Sequence, residues 1–349
     1  MTSKRPFAID IRYEVVSPLF IAGADQASPE LRPASLRGAV RAWYRAVDPR
    51  FRVNEGRWFG AAFEEDGGTA ERRGEVRASP WRTRIVASTL RPGFKVSPQE
   101  YRSFDQGKPP RKTNGVLYTG YTLIDRFNQR EGFHPSTAQQ PATFDVRLSV
   151  LPHLVHDLEG FTWALLGSHW LLGHLGGLGS RARRGWGSVQ LRSMQPAAGS
   201  AGAVPGDVLK ILEMLAPARV STVTDWAADL KHVLGLIDGH FGHERVGDAA
   251  QTPHLGPQHR VLVMRSAFND WAGALDHVGA DMQAFRRDQF RDRQDVADHL
   301  LTCQTPAIKG QKLQRAPLRS AFGLPLLPIT VNSPPLRGFD HRKVTPHPE

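Results

Sequence analysis

The chain has 349 residues, an apolar fraction of 40%, a formal net charge of +11 and an isoelectric point of about 10.2. This length predicts two domains, and the strongly basic balance favours an anionic partner. The single cysteine, Cys303, excludes an internal disulfide and a cysteine-based zinc finger. No signal-peptide core or apolar run of transmembrane length is present, so we expect a cytoplasmic protein that does not bind a membrane.

The positive charge is concentrated in the first part of the chain. Residues 1–200 contain 28 Lys and Arg against 18 Asp and Glu, whereas residues 201–349 contain 17 against 16. Arginine supplies 36 of the 45 basic residues, and its guanidinium binds phosphate bidentately and stacks on bases. A GC-rich genome would explain the choice of arginine but not the asymmetry. We therefore expect the anionic partner to bind the first half.

The first predicted element is a strand that begins at Phe7 and ends near Ser17-Pro18, since apolar residues alternate with polar or small ones over 7–15. After a loop at 21–34 that contains Gly and Pro, Ser35 stands where a helix N-cap belongs. The predicted helix runs to Val47. Its apolar face consists of Leu36, Ala39, Val40, Trp43, Tyr44 and Val47.

A second stripe on this helix carries three arginines, Arg37, Arg41 and Arg45, at intervals of four. A solvated helix face would explain such a stripe. However, like charges at this spacing repel each other, and this repulsion favours a neutralising partner.

The middle of the chain predicts shorter elements. We expect a buried turn at 57–63 and strands around 82–87, 116–124 and 143–151. Residues 92–115 have weak periodicity and many Pro, Gly and charged residues, so they indicate an inserted loop. Lys108, Arg111 and Lys112 make this loop basic.

A glycine-rich segment at 176–188 follows a predicted helix at 161–175 and precedes a predicted strand at 186–194. The order helix, glycines, strand excludes a dinucleotide fingerprint, and the absence of a GK[ST] ending excludes a P-loop. An ordinary solvated turn remains possible. Three arginines within four residues instead favour a flexible loop whose backbone N–H groups bind phosphate. Its candidate residues are Gly177, Gly179, Ser180, Arg181, Arg183, Arg184 and Trp186.

Residues 196–206 are rich in Pro, Ala and Gly and predict a linker. This divides the chain into a first domain at 1–195 and a second, helix-rich domain at 207–349. The second domain is expected to contain helices at 207–215, 224–237 and 271–290, with strands at 260–264 and in the Pro-rich end.

Catalytic patterns are weak. The histidines form no metal-binding set, and His169 and His174 on the long helix are expected to be packed or capped. Asp25 lies in the loop after the first strand, and either bonds its own backbone in a turn or acts as a catalyst; the turn is favoured. The sequence therefore predicts no enzyme, no metal and no cofactor, with Asp25 as the remaining catalytic candidate.

Two segments together carry a resemblance to a known family: LRPASLRGAVRAWYRA at 31–46 and GGLGSRARRGWGSV at 176–189. They resemble the RAMP superfamily of CRISPR-Cas proteins, and most closely the first RAMP subunit of the type III-B effector complex. Smaller matches are GAD at 23–25, WFGAAF at 58–63, YTGYTL at 118–123 and AFGLPL at 321–326. The resemblance is strong over residues 1–195 and thin over 200–310.

The resemblance implies an α+β fold of two RRM-like (ferredoxin-like) domains with inserted loops. It implies a subunit that binds guide crRNA and single-stranded target RNA near the 3′ end of the guide, beside other Cas subunits. Ser35, Arg37 and Gly38 match the helix start that meets the RNA backbone, and 176–188 matches the family's glycine-rich loop. Residues 92–115 occupy the place of a thumb-like projection. Asp25 matches the loop in which backbone relatives carry a cleaving Asp, although cap-type subunits generally do not cut.

Three functions are compatible with the sequence. The first is a non-catalytic RNA-binding subunit of a type III effector, in which the six arginines of the helix and the glycine-rich loop neutralise phosphates. Trp43, Trp186 or Tyr118 would stack a base, although the helical face favours core packing for Trp43. The alternatives are a RAMP-type endoribonuclease that uses Asp25 or a His, and an assembly module without RNA affinity.

Overall fold

The protein is described here by a computed structural model that covers residues 5–23, 25, 28–60, 78–96, 115–123, 130–217, 222–242, 255, 261, 263–264 and 268–288. The chain divides into two units by its internal contacts. Unit 1 comprises residues 1–101 and 119–274, and unit 2 comprises residues 102–118 and 275–349.

The described strands are β1 (Phe7–Val15), β2 (Trp81–Ser88), β3 (Pro92–Phe94), β4 (Gly132–Phe133), β5 (Thr143–Val150) and β6 (Val189–Pro196). The helices are α1 (Pro33–Val47), α2 (Phe51–Phe59), α3 (Gly115–Thr119), α4 (158–175), α5 (Gly206–Met214), α6 (Val223–Phe241) and α7 (Trp271–Asp288). Helix α4 is continuous and has three parts, α-helical at Leu158–Thr162 and Ser168–Leu175 and π-helical at Trp163–Gly167. Short 3-10 turns lie at Tyr121–Leu123, Pro152–Leu154, Ala182–Arg184 and Ala201–Ala203.

Unit 1 is built on a four-stranded antiparallel sheet with the order β2-β5-β1-β6. Helix α1 connects β1 to β2, and α4 connects β5 to β6, so the main elements follow the order β-α-β-β-α-β. This is the ferredoxin-like connection. The predicted mixed fold with an antiparallel sheet is therefore confirmed. The strands β3 and β4 form a separate two-stranded ribbon.

The core lies on one face of this sheet. Alternate residues of β1 are buried, as the period of two in the sequence predicted. Helix α1 contributes Leu36, Val40, Tyr44 and Val47 to the same core. Helix α4 is buried around its whole circumference from Phe161 to Gly173, because nearly every residue there is apolar or small.

One polar pair is enclosed in this core. The Tyr13 hydroxyl lies 2.7 Å from Nδ1 of His169, and the Tyr13 ring stacks on Phe144. Burial lowers the pKa of His169 to about 3 and raises the pKa of Tyr13, so both groups are neutral at physiological pH. His169 is therefore a packed residue, as the sequence predicted.

Helices α5 and α6 add their apolar faces to the core of unit 1. Val208, Ile211 and Leu212 are buried from α5, and Leu230, Val233 and Ile237 are buried from α6. The domain boundary predicted at residue 207 falls within unit 1, which continues to residue 274. A second RRM-like domain at 207–349 stays a prediction, since much of that stretch lies outside the described residues.

Within unit 2, the start of α3 packs closely on α7. The backbone N–H of Gly115 donates to Oδ1 of Asp276 at 2.8 Å. A Cβ added at Gly279 would lie 2.3 Å from the carbonyl oxygen of Gly115, so this approach requires glycine.

Candidate nucleic-acid interface

Helix α1 presents the first set of predicted RNA-binding residues. The helix begins at Pro33 rather than at Ser35, because proline fits the first helical position, where no backbone donor is needed. Ser35 therefore lies within the first turn and is not the N-cap, which corrects the sequence-based assignment. Gly38 is exposed, and a Cβ added there would meet no atom within 4 Å. The helix surface is open at this position.

The arginine stripe of α1 has a partner inside the protein. Glu55 of α2 accepts from Arg41 at 2.7 Å and from Arg45 at 2.8 Å. One carboxylate thus binds two guanidiniums. Part of the charge neutralisation that the arginine spacing predicted is therefore supplied by the protein itself. The two arginines and the one carboxylate together leave a net positive charge on this surface.

Arg37 is held differently. Its guanidinium lies 4.8 Å from the centroid of the Trp81 ring and donates to the carbonyl oxygen of Phe59 at 3.3 Å. Burial, and secondarily the charge of Arg41, lower the pKa of Arg37 from its ordinary value. Arg37 is consequently more buried than an arginine on a fully solvated helix face.

Helix α2 adds arginines that the sequence analysis did not select. Arg52 and Arg57 are exposed on this helix, and Arg50 is exposed just before it. Residues 33–59 thus carry six arginines against Asp48 and Glu55. The signal was present as three arginines between residues 50 and 57, but the sequence analysis assigned no element to 50–56 and a turn to 57–63.

The glycine-rich loop is a fixed turn and not the flexible cradle that we predicted. The backbone N–H of Ser180 donates to the carbonyl oxygen of Phe20 at 2.7 Å, and that of Gly187 donates to Pro18 at 2.9 Å. A Cβ added at Gly179 would lie 2.2 Å from the carbonyl oxygen of Phe20. These N–H groups are bonded within the protein, so backbone donors at these positions are not aimed at phosphate.

The loop base is closed by side chains as well. The Ser17 hydroxyl donates to the carbonyl oxygen of Gly185 at 2.6 Å and accepts from the N–H of Ser188 at 2.9 Å. Gly177 pairs with Ser188 in an isolated antiparallel bridge. The loop therefore presents its arginines from an ordered backbone.

The three arginines of the loop differ in their surroundings. Arg183 is exposed, whereas Arg181 and Arg184 are half-buried. Arg181 has a φ of 61°, the single positive φ outside glycine among the described residues, and its Nε donates to Oγ1 of Thr122 at 2.8 Å. Burial, and secondarily the charge of Arg184, lower the pKa of Arg181. Thr122 is a partner that no local sequence signal indicated.

Trp186 does not stack a base in this structure, because its side chain is 0% exposed. Its indole Nε1 donates to Oγ1 of Thr119 at 3.2 Å, and its ring packs against Phe20 and Trp271. This corrects the prediction of an RNA-contacting tryptophan. Gly187 beside it allows tight backbone packing, because a Cβ added there would lie 2.1 Å from the carbonyl oxygen of Leu178.

The structure brings α1 and the glycine-rich loop into contact at one point. A Cβ added at Gly176 would lie 2.5 Å from Nε1 of Trp43, so the half-buried Trp43 indole packs against the first residue of the loop. The core packing that we favoured for Trp43 agrees with this placement. The arginines of α1 and of the loop thus belong to neighbouring elements of unit 1.

The other predicted residues have the following surroundings. Asp25 is exposed and accepts from the N–H and the hydroxyl of Ser28 at 3.1 and 2.8 Å, which is the turn contact that we favoured. Tyr118 is half-buried in unit 2. Lys108, Arg111 and Lys112 lie outside the described residues.

The outer face of the sheet is covered by ion pairs. Arg147 bonds Asp10 at 2.8 Å, and Arg12 bonds Asp145 at 2.7 Å. An RRM that reads RNA on its sheet carries aromatic residues on this face. The outward positions of the four strands of this sheet carry no aromatic residue, so the described face offers no aromatic ring for base stacking.

Two further findings bear on function. Across the described ranges, no group of three or more His, Cys, Asp or Glu residues is arranged to hold a metal ion. In that same part of the chain, none of the helices combines the length and apolar character that a membrane span requires.

Comparison with known proteins gives four likenesses. A family model described as the RAMP superfamily matches residues 12–190. The Pyrococcus furiosus CRISPR system Cmr subunit Cmr1-2 is 26% identical over 194 residues, covering 52% of this chain and 94% of the relative. The apo crystal structure of Cmr1 from Pyrococcus furiosus aligns over 90% of this chain and 80% of its own, with 16% identity and a TM-score of 0.48. A chain from a type III-B Cmr-beta complex bound to cognate target RNA aligns over 89% and 81%, with 13% identity and a TM-score of 0.46.

Proposed function

Because this chain belongs to the RAMP superfamily, whose model matches residues 12–190, we propose that it is an RNA-binding subunit of a type III CRISPR effector. In this proposal it holds guide crRNA and target RNA by their backbones, near the 3′ end of the guide, in the cytoplasm and beside other Cas subunits. The Cmr subunit with which it shares 26% identity supports the assignment to a multisubunit complex.

One observation carries the proposal. The glycine-rich loop carries Arg181, Arg183 and Arg184 on a backbone that is hydrogen-bonded within the protein, and its first residue, Gly176, packs against Trp43 of α1. Guanidiniums on an ordered backbone bind phosphates bidentately with little loss of conformational entropy. Guide-dependent recognition requires this kind of contact, because the bases must remain available for pairing.

The features of the sheet and of Asp25 support a binding role without catalysis. Ion pairs rather than aromatic residues occupy the sheet face, which fits backbone recognition over base reading. The carboxylate of Asp25 is committed to the Ser28 turn. We therefore propose that Asp25 shapes its loop and does not cut RNA.

We expect purified protein to bind labelled single-stranded RNA in a salt-dependent manner and to leave it uncleaved, because the arginines of the loop would neutralise phosphates and Asp25 would remain in its turn. The experiment is a titration that follows binding and cleavage together, with wild type and Asp25→Asn. Asparagine keeps the turn contact and removes the charge.

Two results would contradict the proposal. An absence of RNA affinity at low salt would leave an assembly module without RNA contact. RNA cleavage that Asp25→Asn abolishes would establish the endoribonuclease alternative.

A further inference from the structure

Among the residues that the structure describes, the aromatic side chain left open to solvent is Tyr121. It is 59% exposed, whereas Trp186 is fully buried and Trp43 is half-buried. Among the large exposed apolar side chains of the described residues, Tyr121 is the aromatic one. A single exposed apolar side chain is common on protein surfaces, so the neighbours of this ring decide what it can bind.

The turn that carries Tyr121 is attached to the glycine-rich loop. The next residue, Thr122, accepts from Nε of Arg181 at 2.8 Å. Leu123 ends the turn with a side chain that is 1% exposed, and its N–H donates to the carbonyl oxygen of Gly120 at 2.8 Å. Consecutive Cα atoms are about 3.8 Å apart, so the Tyr121 backbone lies beside the residue that holds Arg181.

We propose that Tyr121 stacks on one base of the bound RNA while the arginines of the loop hold neighbouring phosphates. The inference rests on the RNA-binding function proposed above and adds a contact to the same site. Its turn is anchored on both sides of the ring, so little conformational entropy is lost when a base stacks on it. Any base offers such a face, and therefore the contact does not impose a sequence on the guide.

The test compares two ligands that share a backbone. One is a single-stranded oligoribonucleotide, and the other is a ribose-phosphate oligomer of the same length without bases. Affinity for each is measured with wild type, Tyr121→Ala, Tyr121→Phe and a control, Leu154→Ala, which removes a side chain that is 49% exposed on another segment.

We expect Tyr121→Ala to weaken binding of the base-bearing RNA by roughly fivefold to 100-fold, which is the range of a single base-aromatic stack. We expect it to leave binding of the abasic oligomer unchanged, while Tyr121→Phe and Leu154→Ala bind both ligands as wild type does. Equal affinity of wild type and Tyr121→Ala for RNA would overturn the inference and leave the ring to a protein partner. An equal loss on both ligands would also overturn it, because the effect would then not depend on bases. If wild type binds neither ligand, the proposed function itself fails.

Discussion

Replacing Trp186 with alanine is expected to lower the free energy of unfolding by about 3–5 kcal/mol, the usual cost of removing a buried aromatic ring. The ring is 0% exposed, packs on Phe20 and Trp271, and donates to Thr119. Its loss would leave a cavity at the base of the glycine-rich loop and remove the hydrogen bond to Thr119. Chemical denaturation followed by circular dichroism measures the change.

Trp186→Phe is the matched control, because it retains most of the ring volume and loses only the bond to Thr119. We expect a cost of about 1–3 kcal/mol for this variant, with RNA affinity close to that of wild type. A Trp186→Ala protein as stable as wild type but deficient in RNA binding would show instead that the indole is a surface residue that stacks on a base.

Gly187→Ala is expected to destabilise the protein by about 2–5 kcal/mol, since strain from a positive φ and a steric overlap combine at this position. Gly187 has a φ of 63°, and an added Cβ would lie 2.1 Å from the carbonyl oxygen of Leu178. The backbone there cannot withdraw without breaking the Leu178–Gly187 hydrogen bond. Thermal and chemical denaturation report the effect.

Gly199→Ala separates the two causes. Gly199 also has a positive φ, 79°, but a Cβ added there meets nothing within 4 Å. We expect this control to cost only about 1–2 kcal/mol, the strain of a left-handed backbone in a residue other than glycine. Equal costs for the two variants would mean that the loop is not packed against its neighbours as described.

The elements with a clear hydrophobic period were predictable from the sequence. The alternation in 7–15 predicted β1, although the strand ends at Val15 and not near Ser17-Pro18. The spacing of Leu36, Val40 and Val47 predicted the buried face of α1. These patterns are local, because one face of each element meets a single core.

Short segments were less predictable. The stretch 116–124 was predicted to be a strand, yet α3 and a 3-10 turn occupy it. Val116, Thr119 and Leu123 are buried at helical spacing, but a run of β-branched and aromatic residues concealed this period. The prediction of a turn at 57–63 was also wrong up to Phe59, where α2 ends.

The site depended on contacts between distant parts of the chain. Glu55 lies on a different helix from Arg41 and Arg45, and Thr122 is 59 residues from Arg181. Composition and spacing identified the arginines but could not reveal which of them has an internal partner. The glycines correctly indicated that another group lies close to the backbone of the loop. The groups that lie there are carbonyl oxygens of the protein itself.

The central claim is that the glycine-rich loop binds RNA phosphates, and the salt dependence of RNA affinity tests it most directly. The variant Arg183→Ala/Arg184→Ala removes two loop charges without altering the left-handed Arg181. The control Arg82→Ala/Arg84→Ala removes two exposed charges from β2. We expect the slope of log affinity against log salt to fall by about 1.4 for the loop variant, because each phosphate contact to a single strand contributes about 0.7. The β2 variant should retain nearly the wild-type slope. The same slope for both variants would contradict the assignment of the RNA-binding site to the loop.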